Sequence, residues 1–247
     1  MVAFYLPGGI PIYILSLLLA IGAFIGMAFV AARSPEGAAL RRVEAGTWTL
    51  AGGLVGGRAA YVALAWPYYR SHLNEALQVN LGGMVWPGVL AGGLLVLAVY
   101  AALSRQSLGV LADALIPLLA ALSIAGWLGC LVEGCGYGAP NALLGVASPD
   151  EWGAVTRRWP VQIISALLCL VFFWIVDRLP ENINDLYGLR ACLMMLALAV
   201  VQLGATLFNA QPLSWRGLPI DAWAALVFAG VALMGLGIVY RAGHAKQ

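Results

Sequence analysis

The sequence predicts an all-α fold: a polytopic membrane protein of about seven transmembrane helices, its N-terminus outside and its C-terminus cytoplasmic. Three observations carry this prediction. Of the 247 residues, 62% are apolar and only 10% are charged. Apolar runs of about 20 residues recur along the chain, the length an α-helix needs to cross a hydrocarbon core of about 30 Å. No water at that depth serves the backbone N–H and C=O groups, so such runs are helices rather than loops or open strands.

In chain order, the first predicted span is Ile10–Ala32. No basic segment precedes it and Arg33 follows it, so it reads as a retained helix rather than a cleaved leader. The second, Thr47–Trp66, holds paired glycines and Arg58. The third, Met84–Leu103, is entered through a Gly-rich turn ending in Trp86-Pro87-Gly88, which leaves a partly re-entrant course open. The fourth is Leu108–Val132, with Asp113 and Pro117 near its start. The fifth, Gln162–Val176, is short and carries the same alternative. Gly188–Phe208 and Ile220–Tyr240 complete the set. The longest connection, 133–161, is rich in Gly, Pro and polar residues and too long for a simple turn. The chain is expected to be a single transmembrane domain, 1–247, with that larger outer loop.

Orientation follows from the cations of the short loops. With the N-terminus outside, the inner side carries Arg33, Arg41, Arg42, Arg105, Arg178, Arg190, Arg241 and Lys246, against Arg70, Arg157, Arg158 and Arg216 outside. The inner arginines read as topology anchors and contacts for anionic lipid head groups. A net charge of +2 gives no reason to expect nucleic acid as a partner.

Function must then be read from polar residues at membrane depth. Arg58 sits mid-span after Gly52-Gly53-Leu54-Val55-Gly56-Gly57. A charge there costs about 2.5–3.5 kcal/mol or more unless it meets a partner, water or the bundle interior. Either Asp113 or backbone carbonyls satisfy it, or it is a fork for a phosphate or carboxylate. Asp113 itself reads as a structural partner or helix-start carboxylate.

The densest constellation is 126–138, with five glycines in thirteen residues: Gly126, Gly129, Gly134, Gly136 and Gly138. Such a segment ends a helix and turns tightly. It carries Glu133, Tyr137, Cys130 and Cys135. The two thiols are either bridged or free. With one carboxylate and no nearby His they under-provide a metal site, so neither metal nor other cofactor is expected. Cys169 and Cys192, inside apolar helices, read as packing residues. Arg157-Arg158-Trp159-Pro160-Val161-Gln162 precedes the fifth span as an interfacial anchor or a head-group grip. The chain has no Gly-x-Ser-x-Gly elbow, no P-loop and no His-Glu-x-x-His, and His72 and His244 lie in a loop and the tail.

These segments, in this order, resemble the bacterial prolipoprotein diacylglyceryl transferases over most of the chain. The resemblance rests on Tyr13, Gly56-Gly57-Arg58-Ala59-Ala60-Tyr61, Gly82-Gly83-Met84 before Gly88, and Asp113 with Pro117. It continues through Gly129, Gly134, Tyr137-Gly138 and Arg158-x-Pro160-x-Gln162. It implies transfer of a diacylglyceryl group from phosphatidylglycerol to the thiol of a lipobox cysteine in a secreted preprotein, at the outer face of the inner (plasma) membrane. Such chemistry needs a base for the thiol and donors for the departing phosphate. The resemblance implies substrate-binding positions at Arg58, Tyr61, Tyr13, Gly57, Gly134, Gly138, Arg158 and Gln162, and catalytic ones at Glu133 and Tyr137. Cys130 or Cys135 would serve as a relay if free.

Several family ionisable positions are replaced. The His after the Gly-Gly-Met turn is Pro87, the Arg opening the glycine-rich signature is Trp127, and its Asn and Glu are Cys130 and Cys135. A further His is Trp159, a Tyr-Glu pair is Ile164-Ser165, an Arg and a Glu of the sixth span are Gln202 and Thr206, and a second Arg there is Asn209. The alternative expectation is therefore an inactive family member that binds phospholipid as a membrane subunit or scaffold.

Overall fold

The computed structural model describes residues 2–6, 10–78, 82–150, 152–179, 186–210 and 214–244; Lys246, used above, lies outside them. Helices stand at all seven predicted places: α1 Ile14–Ala32, α2 Ala39–Leu64, then the short α3 Trp66–Tyr69 and α4 Leu73–Ala76, α5 Trp86–Leu103, α6 Leu108–Ala114 running into α7 Ile116–Glu133, α8 Val161–Asp177, α9 Leu189–Thr206 and α10 Ile220–His244. Among the described residues, three two-stranded antiparallel hairpins lie outside the helices: β1 Val2–Leu6 with β2 Ile10–Tyr13, β3 Val146–Pro149 with β4 Val155–Arg158, and β5 Ser214–Trp215 with β6 Leu218–Pro219. The first span is corrected at its start, because Ile10–Tyr13 pairs as a strand and the helix begins at Ile14. Proline at position 11 and β-branched Ile10 and Ile12 suit that extended pairing.

Five of these helices are long and apolar enough to cross a membrane by length and composition, among the described residues. Only 17–33% of each is buried against the rest of the protein, so the remaining apolar surface needs a non-aqueous surround. The protein is a helical membrane protein. Apolar α8 is 17 residues long, and the 26-residue α2 is diluted by its glycines and by Arg41, Arg42, Glu44 and Arg58.

Helix α2 packs antiparallel on α5 through two facing Gly-x-x-x-Gly pairs, Gly52/Gly56 and Gly88/Gly92. A Cβ added at Gly56 would lie 2.8 Å from Gly92 Cα and strike the Gly88 carbonyl, and one at Gly88 would meet Gly56 O at 2.5 Å. Backbone touches backbone here, as membrane helices do where no hydrophobic drive separates helix from lipid. Helices α1 and α7 are also antiparallel, with Gly22 against Ala125 and Gly26 against Leu118. Val30, Ala45, Leu97, Leu111, Leu115 and Leu118 join the two pairs in one core.

One end of the bundle is closed by charge. The Asp113 carboxylate accepts from Gly188 N (2.7 Å) and Ala191 N (2.8 Å), capping the start of α9, where free N–H groups and the helix dipole favour an anion. Arg33 pairs with Asp177, and Arg190 donates to Leu179 O at 2.9 Å. Asp113 is thus a helix-start carboxylate for another helix, remote from Arg58.

Replacing Gly92 by Leu is expected to destabilise the protein by about 1–3 kcal/mol through overpacking of the α2–α5 seam. Gly126→Ala, with nothing within 4 Å of the added Cβ, is expected to be neutral or slightly stabilising. Thermal unfolding of both variants in one detergent checks the contrast.

Candidate functional site

Apart from Asp113, the polar residues singled out in the sequence gather at the other end of the bundle, where α1 begins, α2 and α7 finish and α5 starts. They form two groups.

The first surrounds Arg58. Its side chain is buried, and its guanidinium donates to four backbone carbonyls: Nε to Ala76 O (2.9 Å), Nη1 to Gly82 O (2.5 Å) and Gly83 O (3.2 Å), and Nη2 to Glu75 O (2.6 Å). Four of the five N–H donors are thereby used. The Arg58 Cζ lies 5.7 Å from the Tyr61 ring centroid and 5.4 Å from that of Tyr69, cation–π geometry at a desolvated site. Gly83 has φ +76°, and a Cβ there would meet the Tyr61 ring and, at 2.8 Å, Arg58 Nη1. The turn therefore needs glycine twice over, for its backbone and for its contact. Gly57 accepts from Val85 N at 3.3 Å, which seats the entry to α5. In the same connection the Tyr68 hydroxyl donates to Glu75 Oε2 at 2.7 Å. That bond to a carboxylate raises the phenol above its usual range, so it is present at neutral pH and is lost as pH rises through the raised value.

The second group is built on the end of α7. Gly134 takes the left-handed conformation, φ +73°, and its N–H returns to Cys130 O, as a helix C-cap does. Cys130 and Cys135 are joined by a disulfide across this cap. That decides between the two readings of the pair and corrects the relay: neither sulfur is a free thiol. Residues 137–141 then thread between the end of α9 and the segment leading to α8. Ala139 N donates to Phe208 O (2.7 Å), Ala210 N to Tyr137 O (3.0 Å), Trp159 N to Ala139 O (3.0 Å) and Asn141 N to Arg157 O (2.9 Å). Gly138 bridges Asn209 as a strand would, and a Cβ on it would lie 2.7 Å from Trp159 Cβ.

Onto this frame the fold places Arg158 and Gln162. Arg158, only 8% exposed, donates from Nη2 to Asp150 Oδ2 at 3.0 Å, and its Cζ stands 4.6 Å from the Tyr137 ring centroid. Gln162, fully buried, donates to Cys135 O at 3.1 Å. Arg158 Nε, Gln162 Oε1 and Ser148 Oγ are buried without a hydrogen-bond partner among the described residues. Such atoms cost about 1–3 kcal/mol each when left unsatisfied, so two in the β3–β4 hairpin and one in the first turn of α8 mark a region that a polar ligand or water completes. Glu133 Oε1 accepts from Leu15 N at 3.4 Å, an anion at the start of α1. Tyr13, the residue preceding α1, lies beside this contact along the backbone, and its side chain makes no cap bond.

Sequence reasoning did not find Asp150 or Ser148. Both sit on the β3 side of a hairpin whose register alone sets Val146 opposite Arg158 and Ser148 opposite Thr156. Asn209, one of the replaced positions, joins the site instead: its amide nitrogen, oriented to suit its neighbours, donates to Gly136 O (3.2 Å) and Ala205 O (3.3 Å). Among the described residues no group of three or more His, Cys, Asp or Glu is placed to hold a metal ion.

A family model described as prolipoprotein diacylglyceryl transferase matches residues 1–239. Among curated proteins, the phosphatidylglycerol–prolipoprotein diacylglyceryl transferase of Thermosynechococcus vestitus is 28% identical over 129 residues, covering 51% of this chain and 48% of that protein. A Clostridium perfringens protein of the same description, numbered 2, is 28% identical over 141 residues, covering 54% and 55%. The Synechococcus elongatus protein is 22% identical over 209 residues, covering 78% and 71%. The chain thus spans about half the length of the first two relatives in these alignments.

Two outcomes are expected. Cys130 and Cys135 should take up a thiol reagent only after reduction. Arg58→Ala should leave four carbonyls unsatisfied and cost at least about 3 kcal/mol, at roughly 1 kcal/mol each, with proteolysis appearing between residues 70 and 83. Peptide mapping by mass spectrometry reads both.

Proposed function

The chain belongs to the prolipoprotein diacylglyceryl transferase family, and on that premise we propose that it moves a diacylglyceryl group from phosphatidylglycerol to the cysteine thiol of a secreted preprotein. The observation that carries the reading is that Arg158 Nε, on a guanidinium stacked on Tyr137, and Gln162 Oε1, on a side chain bonded to Cys135 O, are both buried without a partner among the described residues. One is a cationic donor and the other an acceptor. A phosphatidylglycerol head group offers the complement of both, a phosphate ester and glycerol hydroxyls. With the N-terminus outside, this end of the bundle opens on the outer face of the bacterial inner membrane, where a secreted preprotein is met.

The chemistry then divides among named groups. The thiolate sulfur attacks the glyceryl carbon, an S–C bond forms, the C–O bond to phosphate breaks, and glycerol phosphate leaves with the electron pair. Arg158 stabilises the charge gathering on that phosphate, the kind of fixed donor worth about 2.7–4 kcal/mol in a transition state. Gln162 orients the departing glycerol. Glu133 takes the thiol proton, and Tyr137 holds Arg158 in plane. Arg58, Tyr61 and Gly57 shape the site through the 73–83 connection, and Gly134, Gly138 and Tyr13 by bringing backbone close. Cys130 and Cys135 act as a staple rather than as nucleophiles.

A second reading has its own support. Pro87, Trp127, Trp159 and Cys135, the last bridged to Cys130, stand where the resemblance expects ionisable groups. A bundle that holds phospholipid without reacting it, as a subunit or scaffold, needs none of them.

Proteoliposomes containing phosphatidylglycerol and a lipobox peptide separate the two readings. Transfer that falls about 100-fold or more in Arg158→Gln, and also falls in Glu133→Gln, is the expected result. No transfer by the unaltered protein, with phosphatidylglycerol still retained through purification, would establish the second reading instead.

A further inference from the structure

At the charged end of the bundle, about 25 Å along α2 from Arg58 at 1.5 Å per residue, a groove of about 670 Å³ runs between α2 and α5. Its walls have two characters. Val96, Val99 and Leu103 form an apolar lane on α5, and Arg41, Glu44, Tyr100, Ser104 and Gln106 form a polar head. Arg41, Glu44 and Trp48 follow at three and four residues, so they share one face of α2. Trp48 is 56% exposed, and with Tyr100 it supplies the amphipathic aromatics that settle where lipid meets water.

The polar head is charge-patterned. The Tyr100 hydroxyl donates to Glu44 Oε2 at 3.1 Å, fixing the carboxylate in the groove. The same end of the groove receives the C-terminus of α5, the negative end of the helix dipole. The chain leaves α5 by an unusual route. Arg105 takes a left-handed φ of +55°, Gln106 N returns to Ala101 O at 2.9 Å, and Gln106 is thereby turned into the groove lining. That position is normally given to glycine. A cationic subsite-filler is therefore wanted beside Glu44 and an anionic one beside Arg41, with an apolar tail lying along Val96, Val99 and Leu103.

We propose that this groove binds a membrane phospholipid whose head group carries both a phosphate and a primary ammonium, the phosphatidylethanolamine type. The phosphate meets Arg41, the ammonium donates to Glu44, and an acyl chain lies along α5. The inference is independent of the transfer reaction, because the groove lies at the opposite end of the bundle from Arg158 and Gln162. A purely anionic lipid would set its charge against Glu44 and the α5 terminus. A choline head group would satisfy the charge but give Glu44 no N–H.

The test uses the full chain in phosphatidylcholine bilayers doped with brominated-acyl phosphatidylethanolamine or brominated-acyl phosphatidylglycerol. The Trp48 signal is isolated by difference from Trp48→Phe. The expected result is half-quenching of Trp48 by the ethanolamine lipid at a mole fraction at least fivefold lower than by the glycerol lipid. Glu44→Gln should abolish that preference and Arg41→Gln should weaken quenching by both lipids. Equal quenching by the two lipids, or a preference that survives Glu44→Gln, would overturn the proposal. Circular dichroism of each variant confirms that the bundle is intact, since Arg41 and Glu44 are both exposed.

Discussion

The backbone contact between α2 and α5 is the constraint on which the remaining architecture depends. In lipid, helices gain little from burying leucine, because the surroundings are as apolar as leucine itself. Close approach at Gly52, Gly56, Gly88 and Gly92 substitutes dispersion contact over a long seam. That seam brings the Gly82–Gly83 turn back onto α2, so Arg58 reaches four carbonyls of the connection it spans. A guanidinium that would be costly in hydrocarbon becomes the clamp of a tight loop, because carbonyl dipoles replace the water it gave up.

The two ends of the bundle solve the same problem with different means. At one end, Arg33 pairs with Asp177, Asp113 caps the start of α9 and Arg190 donates to Leu179 O, so these charges meet an opposite charge or a backbone group. At the other end the polar groups are only partly satisfied. The disulfide, the Gly134 cap and the threaded 137–141 segment hold Arg158 and Gln162 in place while leaving one polar atom of each without a partner among the described residues. A frame that firm around unsatisfied atoms is what a binding site requires, since preorganised donors cost no reorganisation when the ligand arrives. The residues that replace the family's ionisable groups are not idle in this frame. Asn209 donates to Gly136, Trp159 lies against Gly138, and Cys130 and Cys135 staple the cap.

Much of the site was legible as positions but not as roles. Gly134 and Gly138 announce a tight turn, and Arg58 announces a buried charge, by residue type alone. Backbone carbonyls were one of the partners the sequence offered for Arg58, beside Asp113 and a bound anion, but the choice was not legible, because carbonyl partners carry no side-chain signature. The choice between bridged and free cysteines was equally closed to the sequence, since spacing across a helix end sets no distance until the cap is formed. Asp150 and Ser148 were missed because only the β3–β4 hairpin brings Asp150 to the Arg158 guanidinium and buries Ser148 on the strand paired with it.

The helical membrane class and the seven helical segments were determined by the sequence itself. Apolar length and the cost of an unsatisfied peptide group in hydrocarbon are local properties, readable one segment at a time. The start of the first helix, the partner of each charge and the state of the thiols were decided only by tertiary structure. The helix start depends on the pairing of β1 with β2, the thiol state on the cap formed between residues five apart, and a charge pair such as Arg33 with Asp177, 144 residues apart, on which helices become neighbours.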